Sequence, residues 1–323
     1  MKAIISKKYG SPETLELKEI ARPGLKENEV LVKVHAASIN YGNIVLLRGK
    51  PYVARLAFGI TKPKFLIPGG DMAGIVEAIG EKVTEFRIGD EVYGDLSGSG
   101  WGTFAEYVAV SDQAIAHKPS NLSFEEAAAV PMAATTALQA IRDKGRIGTG
   151  QKVLIQGASG GVGTFAMQIA KAYGAEVTAV VSTRNVEIAK DIGVDHIIDY
   201  KKDNLANLNQ LYDVIVGVNG SQTISTYKHI LKPNGIFVHV GGSSSQMYKT
   251  MFIGSWVSLF GKKKFVNFMQ KPSKKDLVFL KEIIEAGKVK PVIDSSYPLC
   301  EVSKALKYFE EGHSRGKVVI TIH

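Results

Sequence analysis

The residues with the clearest chemistry form a glycine-rich segment in the middle of the chain. Gly157-Ala158-Ser159-Gly160-Gly161-Val162-Gly163 lies between residues 152–156, which are typical of a buried strand, and residues 164–173, which are typical of a helix. Glycines in that context permit a tight turn and let the backbone approach a pyrophosphate at a helix N-terminus. We therefore expect a dinucleotide here. The expected contacts are Gly157, Ser159, Gly160, Gly161, Val162 and Gly163.

The residues after the second predicted strand distinguish NADPH from NADH. An NADH-binding protein carries Asp or Glu about 20 residues beyond the loop, where the carboxylate binds the ribose 2′-hydroxyl. This chain has Ser182 and Arg184 there instead, directly after the strand at 176–181. A hydroxyl and a guanidinium suit a 2′-phosphate through charge-assisted hydrogen bonds. Tyr200, at the end of the next predicted strand, is expected to pack near the same edge, so the sequence predicts NADPH.

The types and positions of possible ligands argue against a metal. The chain has a single cysteine, Cys300, and its seven histidines include no close pair at ligand spacing. A catalytic zinc needs about three Cys, His or carboxylate ligands, and a structural zinc about four. We therefore expect no metal site. A G-x-S-x-G nucleophile motif is also missing, so the sequence does not support a hydrolase.

The composition is that of an ordinary globular protein with a mild excess of positive charge. The chain has 323 residues, with 40 Lys and Arg against 31 Asp and Glu, and the net charge of +9 is spread along its length. The apolar run at the start is too short for a signal peptide, and no run of about 18 apolar residues occurs. We expect a cytoplasmic protein whose partner is a small molecule rather than nucleic acid or a membrane surface.

The type of secondary structure that the sequence predicts changes along the chain. The first third has short strands with closely spaced glycines, and Val30, Val32 and Val34 share one face of a strand, which is typical of a barrel-like domain. A capping box, Ser123 with Glu126, is followed by alanine-rich helical sequence that is predicted to reach about Lys144. From 152 to 240 continuous apolar strands alternate with helices, which predicts a parallel sheet covered on both faces.

The end of the chain returns to the style of its beginning, with a predicted helix at 273–286 and a predicted strand at 317–322. The predicted domains are therefore residues 1–121, the first part of a catalytic domain; 122–265, a nucleotide-binding domain; and 266–323, the rest of the catalytic domain. The sequence predicts an α/β protein in which the second domain is inserted into the first.

Motifs across nearly the full length resemble the zinc-free, zeta-crystallin-like quinone oxidoreductase branch of the medium-chain dehydrogenase/reductase superfamily. The resemblance implies a GroES-like β-rich catalytic domain with an inserted Rossmann domain of doubly wound parallel sheet, and a homodimer. It also implies that Gly70 stands where zinc relatives carry a ligand histidine. The matching segments are Ala36-Ala37-Ser38-Ile39-Asn40, Ile67-Pro68-Gly69-Gly70-Asp71-Met72-Ala73-Gly74, Gly89-Asp90-Glu91-Val92-Tyr93-Gly94, Gly102-Thr103-Phe104-Ala105-Glu106-Tyr107, Ala158-Ser159-Gly160-Gly161-Val162-Gly163 and Gly316-Lys317-Val318-Val319.

The same resemblance implies several site residues. Thr136 would lie near the nicotinamide, and Asn40, Asn219 and Gly241 would line the same cleft. The chain departs from the common family pattern at Asn43, where Asp is frequent.

Without a metal, the expected substrate is one whose reduced anion is delocalised, such as a quinone or an α,β-unsaturated carbonyl compound. NADPH would supply the hydride, while the protein supplies orientation and electrostatics. Asn40 could donate a hydrogen bond to the developing oxyanion. Tyr41 and Tyr52 are the neighbouring phenols that could relay a proton, although packing at the cleft edge is the simpler interpretation of both.

Two other functions compete with this prediction. A 2-enoyl thioester reductase would use the same cofactor loop. A low-turnover NADPH-binding protein would contact RNA or an anionic membrane through Lys262-Lys263-Lys264 with Phe260, Phe265 and Phe268. The simpler interpretation of that segment is that its apolar residues pack at an interface or at the substrate cleft while its lysines lie in solvent.

Overall fold

The structure is a computed structural model that describes residues 1–219, 222–241 and 262–322. The chain forms two compact units. The first comprises Met1–Thr135, Lys271–Gly287 and Pro291–His323, and the second comprises Thr136–Gln270 and Lys288–Lys290. The predicted limits at 121 and 265 follow sequence motifs rather than contacts, and they stay a prediction.

The first unit is built on antiparallel strands. Strands β1 and β2 form a two-stranded sheet, and the other seven strands of the unit form a sheet in the order β14-β15-β3-β4-β5-β7, with β6 also paired to β3. Val30, Val32 and Val34 of β3 are buried, so the predicted inner face is confirmed. The strands are β1 (Lys2–Ile5), β2 (Glu16–Glu19), β3 (Glu29–Ile39), β4 (Asp71–Ile79), β5 (Glu91–Asp95), β6 (Tyr107–Ser111), β7 (Ile115–His117), β14 (Ile293–Pro298) and β15 (Lys317–Thr321).

Helices of the first unit are α1 (Tyr41–Arg48), α2 (Arg55–Phe58), α3 (Phe124–Ala128), α8 (Lys274–Glu285) and α9 (Val302–Glu310), and α4 (Pro131–Leu138) spans the division between the units. The capping box of Ser123 and Glu126 is present at the start of α3. The alanine-rich helical sequence predicted to reach about Lys144 is confirmed, although it is divided before Pro131 and ends in a π-helix at Gln139–Gly145. Proline lacks the N–H of a continuing helix and disfavours helical geometry in the residue before it.

A six-stranded parallel sheet forms the core of the second unit, in the order β10-β9-β8-β11-β12-β13. The predicted parallel sheet is thus confirmed. Strand order reverses beside β8, which is where open α/β sheets bind ligands. The strands are β8 (Lys152–Gln156), β9 (Glu176–Val181), β10 (His196–Asp199), β11 (Tyr212–Gly217), β12 (Leu231–His239) and β13 (Lys264–Asn267), and the helices are α5 (Gly161–Ala172), α6 (Val186–Ile192) and α7 (Ile224–Ile230).

This topology brings the predicted cofactor residues to one edge of the sheet. Gly157 follows β8, Ser182 follows β9, Tyr200 follows β10, Asn219 comes shortly after β11, and Gly241 comes shortly after β12. Parallel strands end at the same edge, so segments far apart in sequence become neighbours there.

Glu285, the last residue of α8, joins this helix to Ser120, which follows β7. Its carboxylate accepts from Lys281 Nζ at 2.5 Å and from the amide and hydroxyl of Ser120 at 2.8 Å each. Lys281 first, and then Ser120, lower the pKa of Glu285 to about 2.

We expect Glu285→Gln to lower the free energy of unfolding by about 1 kcal/mol at pH 7, because the site is partly exposed to solvent. A lowered folded pKa means that the contribution is present above the unfolded pKa and is lost as pH falls toward 2. Urea unfolding at pH 7 and pH 2.5 measures the difference between variant and wild type. Glu282→Gln, on the exposed face of the same helix, is the matched control. An equal loss for Glu285→Gln at both pH values would contradict the assignment.

Candidate active site

The glycine loop has the backbone geometry that a pyrophosphate requires. Gly157 has φ +73°, a left-handed conformation that favours glycine. A Cβ on Gly163 would overlap the carbonyl oxygen of Gly157 and lie 2.6 Å from that of Ala158. Helix α5 begins at Gly161, with Gly160 as its N-cap, and runs for 12 residues. The cradle therefore fits the diphosphate of a dinucleotide, with backbone amides and the positive end of the helix facing negative charge.

Two asparagines lie against this loop. The Nδ2 of Asn185 donates to the hydroxyl of Ser159 at 2.8 Å, which ties the loop to the segment after β9. Asn219 has φ +136°. A Cβ built on Gly157 would lie 3.5 Å from the Cβ of Asn219. Asn219 was predicted from family resemblance, whereas the role of Asn185 was missed. Nothing in the local sequence distinguishes Asn185 from a surface residue.

The ends of β9 and β10 carry the residues that were predicted to bind the 2′-phosphate of NADPH in preference to the 2′-hydroxyl of NADH. Ser182 is buried, Arg184 is exposed, and Tyr200 is 49% exposed. The structure adds Asp199, a carboxylate that sequence reasoning overlooked because it precedes Tyr200 on the neighbouring strand. The hydroxyl of Thr183 donates to its Oδ2 at 2.6 Å, and the backbone amide of Lys201 donates to its Oδ1 at 3.0 Å.

These bonds use both oxygens of Asp199, and the Thr183 hydroxyl is the main cause that lowers the pKa of this carboxyl. Asp199 is therefore an ionised acceptor with internal donors on each oxygen. Arg184, Lys201 and Lys202 are the cations on the same two segments, and Lys202 Nζ lies 3.9 Å from Asp199 Oδ2. On these two segments the three cations outnumber the two carboxylates, Asp199 and Asp203, which favours a phosphate.

The remaining predicted cofactor residues are less tightly defined by their contacts. Gly241 follows β12, and a Cβ built on it meets nothing within 4 Å. Thr136 lies on α4 and is buried, with 9% exposure. The roles predicted for both residues, like those of the loop, stay predictions.

In the first unit, Asn40 is the centre of a buried polar cluster. Its Nδ2 donates to Asp71 Oδ2 at 2.8 Å, and its Oδ1 accepts from Lys317 Nζ at 2.5 Å. Asn43, at the third position of α1, accepts from the Asn40 amide at 2.7 Å. Asn40 keeps 8% exposure, while Ser38, which donates to Asp71, is fully buried. The polar network beside Asn40 thus exists although Asn43 replaces the more frequent Asp.

The two phenols predicted near Asn40 lie at the surface of the first unit. Tyr41 is 59% exposed, and Tyr52 is 68% exposed with the Arg55 guanidinium 4.9 Å from its ring centroid. Within the described residues neither hydroxyl makes a hydrogen bond. Both hydroxyls are therefore open to an external partner, and the role predicted for them stays a prediction.

The position that holds a ligand histidine in zinc relatives is filled by apolar side chains. A Cβ on Gly70 would lie 3.3 Å from the Trp101 indole and 3.4 Å from the Met132 methyl. Trp101 itself has φ +62°, which is rare for so large a residue. Across the described residues, no three His, Cys, Asp or Glu side chains group as metal ligands do. The residues present here do not fit a zinc ion. Trp101 carried no sequence motif, so it was not predicted.

The segment Lys262-Lys263-Lys264, whose last residue begins β13, contacts other residues of the second unit. Lys263 Nζ donates to the carbonyl of Lys228 at 2.6 Å, and Phe265 is buried in the core of that unit. Phe268 is half-buried, and Phe260 lies outside the described residues. Phe265 is therefore not an aromatic surface for RNA or lipid. No helix in the described part of the chain is long and apolar enough to cross a membrane.

Comparison with known proteins agrees with this arrangement. The family model described as alcohol dehydrogenase GroES-like domain matches residues 26–120, and the one described as zinc-binding dehydrogenase matches residues 192–320. The chain is 35% identical to a 2-methylene-furan-3-one reductase of Solanum lycopersicum, over 99% of this chain and 79% of that protein.

A second relative, the chloroplastic NADPH-dependent alkenal/one oxidoreductase of Arabidopsis thaliana, is 34% identical over 99% of this chain and 79% of its own length. Among solved structures, the quinone oxidoreductase from Coxiella burnetii matches with a TM-score of 0.87 and 30% identity, over 100% of this chain and 99% of that one.

The inserted nucleotide-binding unit, the GroES-like strands and these matches define the class: the chain belongs to the medium-chain dehydrogenase/reductase superfamily. Within the superfamily it belongs with the quinone oxidoreductase-like members, and the Gly70 site agrees with the zinc-free branch. The predicted family and fold class are confirmed.

The loop geometry gives a steric test of the cofactor cradle. We expect Gly163→Ala to lower the free energy of unfolding by about 1–3 kcal/mol, because its methyl group overlaps backbone that cannot retreat. Gly160→Ala is the matched control, since its Cβ would lie 3.6 Å from the nearest atom, the Gly157 oxygen. Thermal unfolding compares the two variants, and fluorescence titration measures NADPH binding. Equal stability of the two variants would contradict the close approach at Gly163.

Proposed function

We propose that this protein is a zinc-independent, NADPH-dependent oxidoreductase that transfers a hydride to a quinone or an α,β-unsaturated carbonyl compound. The observation that carries the proposal is the buried Asn40 cluster, whose partner Asp71 directly follows Gly70, together with the apolar surroundings of Gly70, which do not fit a zinc ion. Relatives named for the reduction of quinones, alkenals and a methylene-furanone support this substrate class.

The preference for NADPH is supported by the ends of β9 and β10. Ser182 and Arg184 supply a hydroxyl and a guanidinium for a 2′-phosphate, with Tyr200 beside them. Asp199, a carboxylate at this edge, already accepts from the Thr183 hydroxyl and the Lys201 amide, which fix its orientation within the protein. The name of the Arabidopsis relative also specifies NADPH.

In the proposed mechanism the glycine loop would hold the pyrophosphate of NADPH, which when bound would supply a hydride for an electron-poor carbon of the substrate. Asn40 donates its remaining N–H to the oxygen that gains negative charge. A donor of this kind stabilises an anion that is already delocalised, as in a quinone or an enone, without a Lewis acid. Tyr41, Tyr52 or water then returns a proton to the product, since both phenols are open to an external partner.

We also propose that the protein is a homodimer. In the described part of the second unit β13 ends the order of strands, and an edge strand offers unpaired backbone groups to a second copy. Light scattering at micromolar concentration tests this proposal, and a monomeric mass would overturn it.

Steady-state assays with NADPH and NADH against a quinone, an alkenal and an enoyl thioester test the proposed function. Turnover of the quinone or the alkenal with NADPH supports it, whereas exclusive turnover of the thioester identifies a 2-enoyl thioester reductase. Absence of turnover with all three acceptors would overturn it. Salt-sensitive binding of RNA or anionic vesicles, lost in Lys262→Ala/Lys263→Ala/Lys264→Ala, would then favour the binding protein.

Arg184→Ala tests the proposed phosphate contact. We expect the KM for NADPH to rise about 10-fold or more, because a charge-assisted hydrogen bond to the 2′-phosphate is lost, while the KM for NADH changes little. Lys190→Ala is the matched control, since Lys190 lies on the following helix and pairs with Glu187 at 2.9 Å. Equal effects of Arg184→Ala on both cofactors would refute its assigned role.

A further inference from the structure

We propose that Asp71 and Lys317 are positioning residues for the reaction: together they hold the Asn40 amide in a single orientation and leave one of its N–H hydrogens for the substrate oxygen. The proposal rests on the proposed function, because it concerns how Asn40 is presented to an oxyanion. It assigns a role to two charged residues that lie in the core of the first unit and do not themselves reach the surface.

Asn40 is fixed at both ends of its side-chain amide. Lys317 Nζ donates to the Oδ1 of Asn40 at 2.5 Å and to the carbonyl of Ile39 at 3.2 Å. Asp71 Oδ2 accepts from the Nδ2 of Asn40 at 2.8 Å. Asp71 is fully buried, and Lys317 is 2% exposed.

The chemistry of the two partners allows only one orientation of the amide. An ammonium group has donors and no acceptor, so it must face the oxygen of Asn40. An ionised carboxylate has acceptors only, so it must face the NH₂ group. A flip of the amide would oppose oxygen to oxygen at Asp71 and donor to donor at Lys317. Of the two hydrogens on Nδ2, one is used by Asp71, and no acceptor among the described residues takes the other.

The two charged partners are themselves held rigidly. Asp71 begins β4 and Lys317 begins β15, and both strands pair with β3, which ends one residue before Asn40. The hydroxyl of Ser38 donates to Asp71 Oδ2 at 3.0 Å, and the amide of Met132 donates to its Oδ1 at 3.1 Å. Three donors on one carboxylate, each from a different residue, fix its plane, and the hydrogen bonds from Ser38 and Asn40 partly oppose the effect of burial on its pKa.

Such a buried pair is a costly way to gain stability. Burial, opposed by Lys317 and reinforced by Asp95, raises the pKa of Asp71 to about 7, and burial lowers the pKa of Lys317. The ammonium and the carboxylate lie 3.6 Å apart, and the desolvation of such a pair commonly cancels its Coulombic attraction. The contribution of the pair to stability therefore does not explain why it is buried, whereas the orientation of Asn40 does.

The arrangement also acts on the strength of Asn40 as a donor. The ammonium of Lys317 lies on the amide oxygen and draws electron density away from the NH₂ group, which makes the free N–H a better donor to an anion. In a buried site this polarisation is only weakly screened.

The experiment compares three variants with wild type in steady-state reduction of a quinone by NADPH: Asn40→Ala, the double variant Asp71→Asn/Lys317→Met, and the triple variant that combines them. The double variant removes both charges together, so that no unpaired charge is left in the core. We expect kcat to fall about 10- to 100-fold in the double variant and by a similar or larger factor in Asn40→Ala.

Because the pair acts through Asn40, we expect the triple variant to be no slower than Asn40→Ala by more than about 3-fold, which is strong non-additivity. The KM for NADPH stays unchanged, since the cofactor loop lies in the other unit. Multiplicative losses in the triple variant, or wild-type kcat in the double variant, would overturn the proposal.

Lys118→Met is the matched control for loss of a buried lysine. Lys118 is 8% exposed in the same unit, and its Nζ donates to the carbonyls of Pro119 and Leu122. We expect this variant to lose stability and to keep its kcat. A fall in its kcat equal to that of the double variant would mean that destabilisation alone explains both, and it would overturn the proposal.

A second measurement is independent of turnover. In protein labelled with ¹⁵N at asparagine, the NH₂ signal that is missing in Asn40→Ala belongs to Asn40. We expect one of its two hydrogens to exchange slowly in wild type and rapidly in the double variant. Equal rapid exchange of both hydrogens in wild type would overturn the assigned orientation. If wild type reduces none of the acceptors, the proposed function fails while this measurement still decides the orientation.

Discussion

The close approach of α5 to the turn after β8 is the constraint on which the nucleotide-binding unit depends. Without a side chain on Gly163, the helix can begin directly against the carbonyls of Gly157 and Ala158. Any side chain there would push the helix away from the sheet edge, and the amides at its start would no longer surround a pyrophosphate. The other residues that we predict to bind the cofactor follow β9 to β12, on either side of this turn.

A comparable role in the first unit belongs to the carboxylate of Asp71. It joins β4, β3 and α4 through Ser38, Asn40 and Met132, and the ammonium of Lys317 adds β15. A fully buried carboxylate persists only if donors surround it, so its partners are as constrained as it is. Asn40, the group that we propose binds the substrate oxygen, is thus a neutral amide held by buried charges.

The surroundings of Gly70 are packed with apolar side chains. Trp101 and Met132 occupy the space into which a side chain at position 70 would project, and Gly42 leaves room for the far edge of the Trp101 ring. A site closed in this way favours acceptors that need a hydrogen-bond donor rather than a Lewis acid. This is the physical link between the zinc-free branch and substrates whose reduced anions are delocalised.

Local patterns in the sequence predicted the features that depend on neighbours along the chain. The glycine loop between β8 and α5, the capping box at Ser123 and the buried face of β3 follow from short-range spacing, and each is present. The division of the helical stretch before Pro131 could also be predicted from the local sequence, but it was not. The motifs identified the family, because they are spread over nearly the whole chain.

The same patterns gave no indication of Asp199, Asn185, Trp101 or the Asp71–Lys317 pair as candidate site residues. Lys317 lies 277 residues from Asn40, and only strand pairing brings the two together. Spacing along the chain therefore determined which cofactor loop is present, whereas the tertiary structure decided which charges surround it and which groups hold Asn40, because those contacts form between strands and helices that are distant in sequence.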